Sequence, residues 1–479
     1  MKKGFSDKIF RQYDIRGVWG KDLTAEVVRK IASAYAFYLF KILSSGESKG
    51  SGTDLKDRRP KITIGRDVRL SSPEIAGIII ETLLRSGFDV IDLGVCPTPL
   101  QYYSLHRLQA DGGIMITASH NPPEFNGMKL SVGKETLYGE YIAEIRDLAK
   151  NDRSIKDILG GEPSTGNLSS FDIIGAYRQR MKEEFNNTGE GIKIVIDSGN
   201  GTAGLVAPFI LRDIGSTVID LFSEPDGRFP NHEPDPVVVK NLSYLIETVK
   251  KEKAHLGVGY DGDADRIGVV SSDGEIIWGD RLLIIFSRAI LKDRPGASII
   301  GEVKCSQTLF DDIRAHGGIP IMWKTGHSLI KAKMKETEAL LAGEMSGHMF
   351  FKDRYYGYDD AIYATLRLVE IINKEGKKPL QDLLAGVPHT VSTPEIRFDC
   401  PDEIKFMIVE EVKKYLKGYE IIDIDGIRVN TKDGWGLVRA SNTQPALVMR
   451  FEAKDQISLD NIRTLIEGAL KKAMDSIKK

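Results

Sequence analysis

Three times along this chain an apolar run stops at a polar loop, continues into a short hairpin and then enters a helix. The first copy is Gly113-Ile114-Met115-Ile116, the loop 117–122, then Asn126-Gly127-Met128-Lys129-Leu130-Ser131 and the Gly139-containing segment that opens a helix. The second is Leu256-Gly257-Val258-Gly259-Tyr260, the loop 261–266, then Ile267-Gly268-Val269-Val270-Ser271 and Trp278-Gly279-Asp280-Arg281. The third, Leu340-Leu341-Ala342-Gly343-Glu344 followed by Met349-Phe350-Phe351 and Gly357-Tyr358-Asp359, keeps the strand and loop with a shorter hairpin. Val-Ile-Asp-Leu also recurs, at 90–93 and 218–221. A 479-residue chain exceeds one hydrophobic core, and a recurring unit of this kind predicts three related α/β domains. Open α/β sheets bind ligands beyond the carboxyl ends of their strands, so the loops at those ends are the candidate sites.

The intervening segments agree. Thr24 caps a helix with Val27, Val28, Ile31, Ala32 and Tyr35 on one face. Strands at 61–65 and 89–94 flank a helix at 72–86 with Pro73 in its first turn, and a helix follows Cys96-Pro97-Thr98-Pro99. Residues 44–59, rich in Ser, Gly, Lys and Asp, read as a surface loop. The second unit opens on a helix at 173–185, and its strand at 192–197 meets Ser198-Gly199-Asn200-Gly201, a turn expected to enter a helix near Ala203. After a Pro-containing linker at 387–394, strands near 429–430, 436–439 and 446–451 lie between helices at about 402–416 and 459–475, a smaller α+β module on a hinge. The expected division is 1–165, 166–274, 275–387 and 388–479.

Four loops carry chemistry. Ser119-His120-Asn121-Pro122 has the composition of an ordinary turn, but it ends a buried strand, which makes Ser119 a candidate nucleophile. In Asp261-Gly262-Asp263-Ala264-Asp265-Arg266 three carboxylates repel one another unless a cation sits among them, and hard oxygen ligands suit Mg²⁺. Arg266 is the one compensating cation in that loop. An EF-hand would need Gly at Arg266 and Glu at Ser272; a haloacid-dehalogenase-type Asp-x-Asp would continue with Thr or Val at Asp265. Gly257 to Gly262 satisfies G-x-G-x-x-G, yet a strand follows, so no dinucleotide site is implied. Gly343-Glu344-Met345-Ser346-Gly347-His348 offers an acceptor, a hydroxyl and an imidazole for a sugar's hydroxyls. Arg439-Ala440-Ser441-Asn442-Thr443 matches a phosphate's oxygens with a guanidinium, hydroxyls and an amide. Phe10-Arg11-Gln12-Tyr13-Asp14-Ile15-Arg16-Gly17 reads by itself as a solvated edge strand.

Charge and cysteine content narrow the partners. Lys+Arg 66 against Asp+Glu 68 leaves a net charge of -2 with no basic block, so nucleic acid is not expected. The three cysteines are scattered, which fits a reducing cytoplasm. No stretch reaches the ~18 apolar residues of a membrane helix, and the first residues lack the apolar run of a signal peptide.

In their order and spacing the four loops resemble the α-D-phosphohexomutase superfamily from Phe10 to the last strand. Residues 10–17, 117–122 and 343–348 are similar to its phosphomannomutase/phosphoglucomutase branch; the glucosamine branch usually carries Gln where Met345 stands. The resemblance implies four domains around a central cleft. Three would be related α/β domains with mixed, mostly parallel sheets; the fourth, a TATA-box-binding-protein-like α+β domain, would close the cleft. It implies an isomerase interconverting hexose 1-phosphate and hexose 6-phosphate, of mannose, glucose or both, through a phosphoserine enzyme and a 1,6-bisphosphate. Ser119 would carry the phosphoryl group, with Mg²⁺ held against it by Asp261, Asp263 and Asp265. Glu344 and Ser346 would grip the sugar's 3- and 4-hydroxyls. Arg439, Ser441, Asn442 and Thr443 would hold the substrate's phosphate, with Tyr13, Arg16, Lys304, His327 and His348 completing the pocket. Lys129 and Arg266 would neutralise charge, and Lys129, His120 and His348 are the candidates for acid/base work. Glucose 1,6-bisphosphate or mannose 1,6-bisphosphate would act as activator. A cytoplasmic monomer or homodimer, with neither nucleic-acid nor membrane partner, completes the expectation. A metal-dependent sugar phosphatase and a non-catalytic phosphosugar-binding protein are the alternatives.

Overall fold

The computed structural model describes residues 6–45, 58–159, 161, 163–441 and 445–477. Most of the predicted surface loop 44–59, and both Asn442 and Thr443, lie outside the described residues. The chain divides into two compact units, Met1–Leu282 with Ser346–Leu383, and Leu283–Met345 with Leu384–Lys479.

The first unit contains two mixed sheets. One runs in the order Ile15–Val18, Phe125–Val132, Gly112–Ile116, Lys61–Arg66, Asp89–Val95, Leu168–Ser170, with Glu135–Thr136 paired to Phe125–Val132. From Gly112–Ile116 to Leu168–Ser170 the pairing is parallel. On the other side it is antiparallel. Connection length explains the change: crossover helices Ser72–Arg85 and Thr98–Arg107 return the chain in the same direction, whereas a hairpin reverses it. This sheet extends past 165, because Leu168–Ser170 adds to its edge. Residues 10–17 give only the edge strand Ile15–Val18, and Tyr13, Asp14 and Ile15 are buried rather than solvated. Helix Ala25–Ser45 starts as the sequence predicts, with Thr24 Oγ1 accepting from the Val27 amide at 3.4 Å. Its face of Val27, Val28, Ile31, Ala32 and Tyr35 packs with Ile62, Ile64 and Ile114. Each large apolar side chain so buried contributes about 1.5–3 kcal/mol.

The second sheet repeats the plan in the order Ile276–Ile277, Ile267–Ser271, Leu256–Tyr260, Lys193–Asp197, Thr217–Leu221. The Gly-rich turn at 198–201 enters a 3₁₀ turn, Thr202–Leu205, and the α-helix begins only at Ala207, one residue before Pro208, whose fixed φ suits a first turn. Gly257 lets helix Ser243–Glu252 lie close, since a Cβ there would stand 2.5 Å from Val249 Cγ2. Helix Ala361–Lys374 is fastened to helix Ile173–Glu184 through Asp360, whose Oδ2 accepts from Tyr177 and Tyr355 hydroxyls at 2.9 and 2.8 Å. Burial pushes the Asp360 carboxyl up to about 6.

In the second unit, strands Ile319–Trp323, Ser298–Glu302 and Leu341–Gly343 are parallel. An antiparallel sheet runs Val391–Ser392, Ala446–Ala453, Gly434–Ala440, Ile427–Thr431, Glu420–Ile422, with Ile396–Asp399 also on Ala446–Ala453. Helices Lys405–Val412 and Gln456–Ile477 share its core. The predicted linker therefore contributes a strand to this module's own sheet. Arg428 lies 3.8 Å from the Trp435 ring and donates to the carbonyls of Val303 and Cys305 at 2.7 and 2.8 Å. Among the described residues, no helix is long and apolar enough to cross a membrane.

Candidate active site

Strand Gly112–Ile116 is buried throughout, so the chain leaves the sheet abruptly where polar residues begin. Ser119, 3% exposed, takes a left-handed backbone conformation with φ +50°. Its amide donates to Thr117 Oγ1 at 2.9 Å, and its hydroxyl donates to Asp261 Oδ2 at 2.6 Å, with His120 Nδ1 at 3.1 Å. The same event occurs in the second sheet, where the buried strand Leu256–Tyr260 ends at the aspartate loop. Asp261 Oδ1 accepts from the amides of Asp265 and Arg266, both at 3.1 Å, which curls the loop round that carboxylate. Two sheet ends thus deliver a hydroxyl and a carboxylate to one point.

The spacing of the loops demands a glycine between them. A Cβ on Gly262 would stand 2.5 Å from the Ser119 carbonyl oxygen, and neither backbone can yield. Gly262→Ala should lower turnover about tenfold or more by moving Ser119 away from Asp261. Steady-state kinetics on variant shown to be folded by circular dichroism checks this, and an unchanged kcat contradicts it.

Arg266 is not the only compensating cation, as the loop sequence alone implied. Lys129, 3% exposed, donates to Asp263 Oδ2 at 2.9 Å and to Asp265 Oδ2. Residue 129 lies in the hairpin strand Phe125–Val132, opposite Met115, and only the docking of the two sheets brings it to the aspartates. Burial opposes charge on Lys129, but Asp263 and Asp265 outweigh it and hold the ammonium well above its ordinary range. Asp263 feels burial and the Asp265 charge, which raise it, yet Lys129 and the Thr98 hydroxyl at 2.6 Å bring it below the usual carboxylate range. Asp265 is also lowered, with Lys129 the main counterweight to burial. Asp261 goes the other way, raised by burial and its two neighbours. A fixed ammonium cannot accept a proton, so Lys129 suits charge neutralisation better than general base work. His120 is driven well below its ordinary value by burial and by Arg266 and Arg16, which keeps it a neutral hydrogen-bonding group.

A cation still fits. One ligand atom from each of Asp261, Asp263 and Asp265 lies within 4.8 Å of the others. The Oδ1 atoms of Asp263 and Asp265 are buried without a hydrogen-bond partner, an expensive arrangement that a metal ion would relieve. The residues present could therefore bind a metal.

Arg16 joins this site through register: Arg16 pairs opposite Gly127, and its guanidinium donates to Asn121 Oδ1 and Asp14 Oδ2, each at 2.5 Å. Tyr13 is buried in the segment leading to the same strand. His348 enters by a bridge to Arg266. Arg266 Nε donates to His348 Nε2 at 3.0 Å, and His348 Nδ1 lies 3.2 Å from Asp359 Oδ2. Gly347 makes this possible, with φ +91° and a Cβ position only 2.2 Å from the Ile267 carbonyl. In sequence Asp359 stands in the Gly357-Tyr358-Asp359 segment after the third copy's hairpin; its proximity to His348 is a tertiary contact.

The second unit gathers the other predicted residues. Glu344 Oε1 accepts from the Gly326 amide at 2.5 Å, just before buried His327 opens helix His327–Thr337. Lys304 lies 3.1 Å from Glu395 and 3.5 Å from Glu302. Burial would lower its ammonium, but these carboxylates raise it. Glu395 is held down to about 2 despite its burial, by Lys304 and Arg397. Arg439 donates from Nε to Asp425 Oδ2 at 3.1 Å, and the same oxygen accepts from the Thr325 amide at 3.0 Å. Ser441 is buried, its carbonyl accepting from Lys405 at 2.6 Å. Two acids escaped the sequence reading. Glu302, fully buried and raised by that burial, accepts from Thr325 Oγ1 and the Met345 amide. Its position at the end of strand Ser298–Glu302 was the available signal. Asp425 sits in a loop with none. Glu344 belongs to this unit, whereas Ser346 and His348 belong to the first, so the 343–348 loop is shared along the chain.

Comparison with known proteins agrees with this arrangement. The chain matches the four descriptions of phosphoglucomutase/phosphomannomutase: alpha/beta/alpha domain I over 7–156, domain II over 176–274, domain III over 278–391 and the C-terminal domain over 395–469. It is 44% identical over 471 residues to a phosphomannomutase/phosphoglucomutase of Pseudomonas aeruginosa, covering 98% of this chain and 96% of that one. A phosphoglucomutase of Neisseria gonorrhoeae is 41% identical over 466 residues, with 96% of each covered. Among solved structures, a phosphoglucomutase/phosphomannomutase family protein of Burkholderia thailandensis superimposes with a TM-score of 0.87 at 38% identity over 98% of both chains. With all four of its modules matched in order and nearly its whole length covered by such relatives, this chain belongs to the phosphoglucomutase/phosphomannomutase family.

Proposed function

We propose that the protein is a phosphohexomutase that interconverts hexose 1-phosphate and hexose 6-phosphate, of glucose, mannose or both, by way of a phosphoserine and a 1,6-bisphosphate. The observation that carries the reading is the Ser119 hydroxyl set 2.6 Å from Asp261, inside a ring of carboxylates already neutralised in part by Lys129. Phosphate monoesters hydrolyse so slowly in water that the barrier must fall by positioning and charge neutralisation. Mg²⁺ held by Asp261, Asp263 and Asp265 against Ser119 would supply further positive charge to the transferring phosphoryl oxygens. Lys129, kept protonated, and Arg266 add fixed positive charge. His120, kept neutral, orients the Ser119 oxygen. His348 is the candidate for moving the proton of the sugar hydroxyl, once substrate displaces the Arg266 N–H from its Nε2, with Asp359 close to its other nitrogen. In the second unit Glu344 accepts from sugar hydroxyls, while Arg439, Lys304, His327 and Ser441, with Asn442 and Thr443, bind the substrate's other phosphate. Ser346 adds a sugar contact, and Tyr13 and Arg16 complete the binding set. The division at 274 and 387, with the first boundary moved past Ser170, belongs to the same reading, as does activation by glucose or mannose 1,6-bisphosphate.

Incubation with glucose 1-phosphate, Mg²⁺ and a trace of glucose 1,6-bisphosphate tests the proposal. Glucose 6-phosphate is the expected product; release of inorganic phosphate would make the protein a phosphatase, and unchanged sugar a binding protein. Arg439 offers a second measurement. Its guanidinium is aimed by Asp425. Losing a charge-assisted contact should remove about 1.5–3 kcal/mol of binding, so Arg439→Ala should raise KM more than it lowers kcat, equally for glucose and mannose 1-phosphates. A loss confined to one sugar, or to kcat, would contradict the phosphate-binding role.

A further inference from the structure

The loop that carries Ser119 is wound round a buried guanidinium. Arg69 is 1% exposed and lies between strand Lys61–Arg66 and helix Ser72–Arg85. Its Nη2 donates to the carbonyls of Ser119 and Asn121 at 2.8 and 2.6 Å, and its Nη1 to those of Pro122 and Phe125 at 2.6 and 3.0 Å. Its Nε donates to Asp67 Oδ2 at 3.1 Å. All five guanidinium N–H groups are thus spent, four of them on one turn of backbone. Asp67 is anchored in turn: Oδ1 accepts from the Arg69 amide at 3.0 Å and from Ser72 Oγ at 2.6 Å, and the Asp67 amide donates to the Ile116 carbonyl at 2.9 Å.

The second sheet's loop closes over this arrangement. The Phe229 ring lies 5.1 Å from the Arg69 guanidinium carbon and is 8% exposed. Two residues earlier, a Cβ on Gly227 would stand 2.3 Å from the Val68 carbonyl and 2.7 Å from Arg69 Cα. The turn therefore seats directly on the arginine. Ser119 meanwhile holds φ +50°, a conformation that an L-residue with a side chain adopts only when its surroundings enforce it.

From these contacts we infer that Arg69 is a positioning residue for phosphoryl transfer. By drawing the carbonyls of Ser119, Asn121, Pro122 and Phe125 to one point it enforces the left-handed turn at Ser119 and so aims Oγ at Asp261, and Phe229 keeps the guanidinium dry and in place. This rests on Ser119 as the phosphoryl carrier. Lysine retains the charge but lacks the fork that reaches four carbonyls, so Arg69→Lys should relax the turn and misplace Oγ.

The test follows phosphorylation of the full-length enzyme by ³²P-labelled glucose 1,6-bisphosphate, with peptide mapping, beside steady-state kinetics and thermal unfolding. In Arg69→Lys the rate of labelling and kcat should both fall about thirtyfold or more, while KM for glucose 1-phosphate and the Mg²⁺ activation constant stay within about threefold. Guanidinium ion added to Arg69→Ala should restore part of kcat, which a loss of folded protein would not allow. Label on Ser119 at the wild-type rate in folded Arg69→Lys overturns the inference; label on another residue of the wild-type enzyme overturns the Ser119 reading instead. If neither Arg69 variant folds, Phe229→Leu decides: it keeps every hydrogen bond, and a severalfold fall in labelling rate at constant KM is expected, whereas an unchanged rate overturns the role.

Discussion

Replacing Ser119 with alanine should lower turnover by roughly a thousandfold or more and leave no phosphate on the protein, because the group that accepts and returns the phosphoryl is gone. Thr98 provides the control. Its hydroxyl also meets the cluster, donating to Asp263 Oδ2 at 2.6 Å, but it is fully buried at the start of a helix, with its amide on the Asp263 carbonyl. It holds the loop and is not presented to a reactant. Thr98→Val should therefore lose stability, by about 1.5 kcal/mol for one hydrogen bond to a charged group whose oxygen keeps Lys129, yet still be phosphorylated. Ser119→Ala removes a donor from Asp261, whose other oxygen keeps two backbone amides, so it should stay folded. Intact mass and steady-state kinetics on both variants decide the assignment. Near-normal turnover in Ser119→Ala, or phosphate lost from Thr98→Val and retained in Ser119→Ala, would move the nucleophile elsewhere.

Chelation should have the second large effect, abolishing turnover at full EDTA treatment and restoring it with Mg²⁺. The structure adds that the metal-free enzyme should remain folded. Three close carboxylates would repel one another strongly in a dry site, but Lys129 is already paired with two of them and Arg266 and Asp265 amides bind the third. Asp263→Asn differs in kind. It withdraws one of two partners from buried Lys129, which keeps Asp265, so the cost stays below the ~3–5 kcal/mol of leaving a buried charge unpaired. That variant should show both weaker metal activation and a lower unfolding temperature, whereas EDTA should cost activity alone. Calorimetric scans with and without EDTA, beside activity, separate the two. Full activity after chelation would remove the metal from the proposal; unfolding on chelation would mean that Lys129 does not balance the cluster.

Much of this was legible in the sequence because it is written in local patterns. Apolar runs of four or five residues ending in polar loops gave strands Gly112–Ile116 and Leu256–Tyr260 and their loops, since a strand buried on both faces has to be apolar throughout. Thr24 as a cap and Pro73 in a first turn are readable for the same reason: their effect is exerted within four residues. The helix expected at Ala203 began later because glycine and a 3₁₀ turn fit the local chain better than an α-turn does before Pro208.

What the sequence by itself determined, then, is which side chains stand at which strand ends: Ser119, the three aspartates, Glu344 and Arg439. Only the tertiary structure decided what each of them meets. Lys129 finds Asp263 and Asp265 across more than a hundred residues, His348 finds Asp359 and Arg266, Arg439 finds Asp425, and Arg69 gathers four carbonyls fifty residues away. The physical reason is one of range. Period and capping act through neighbours along the chain, whereas a buried charge must be paired wherever packing happens to bring a partner, and the cost of leaving it unpaired is paid in the folded state alone.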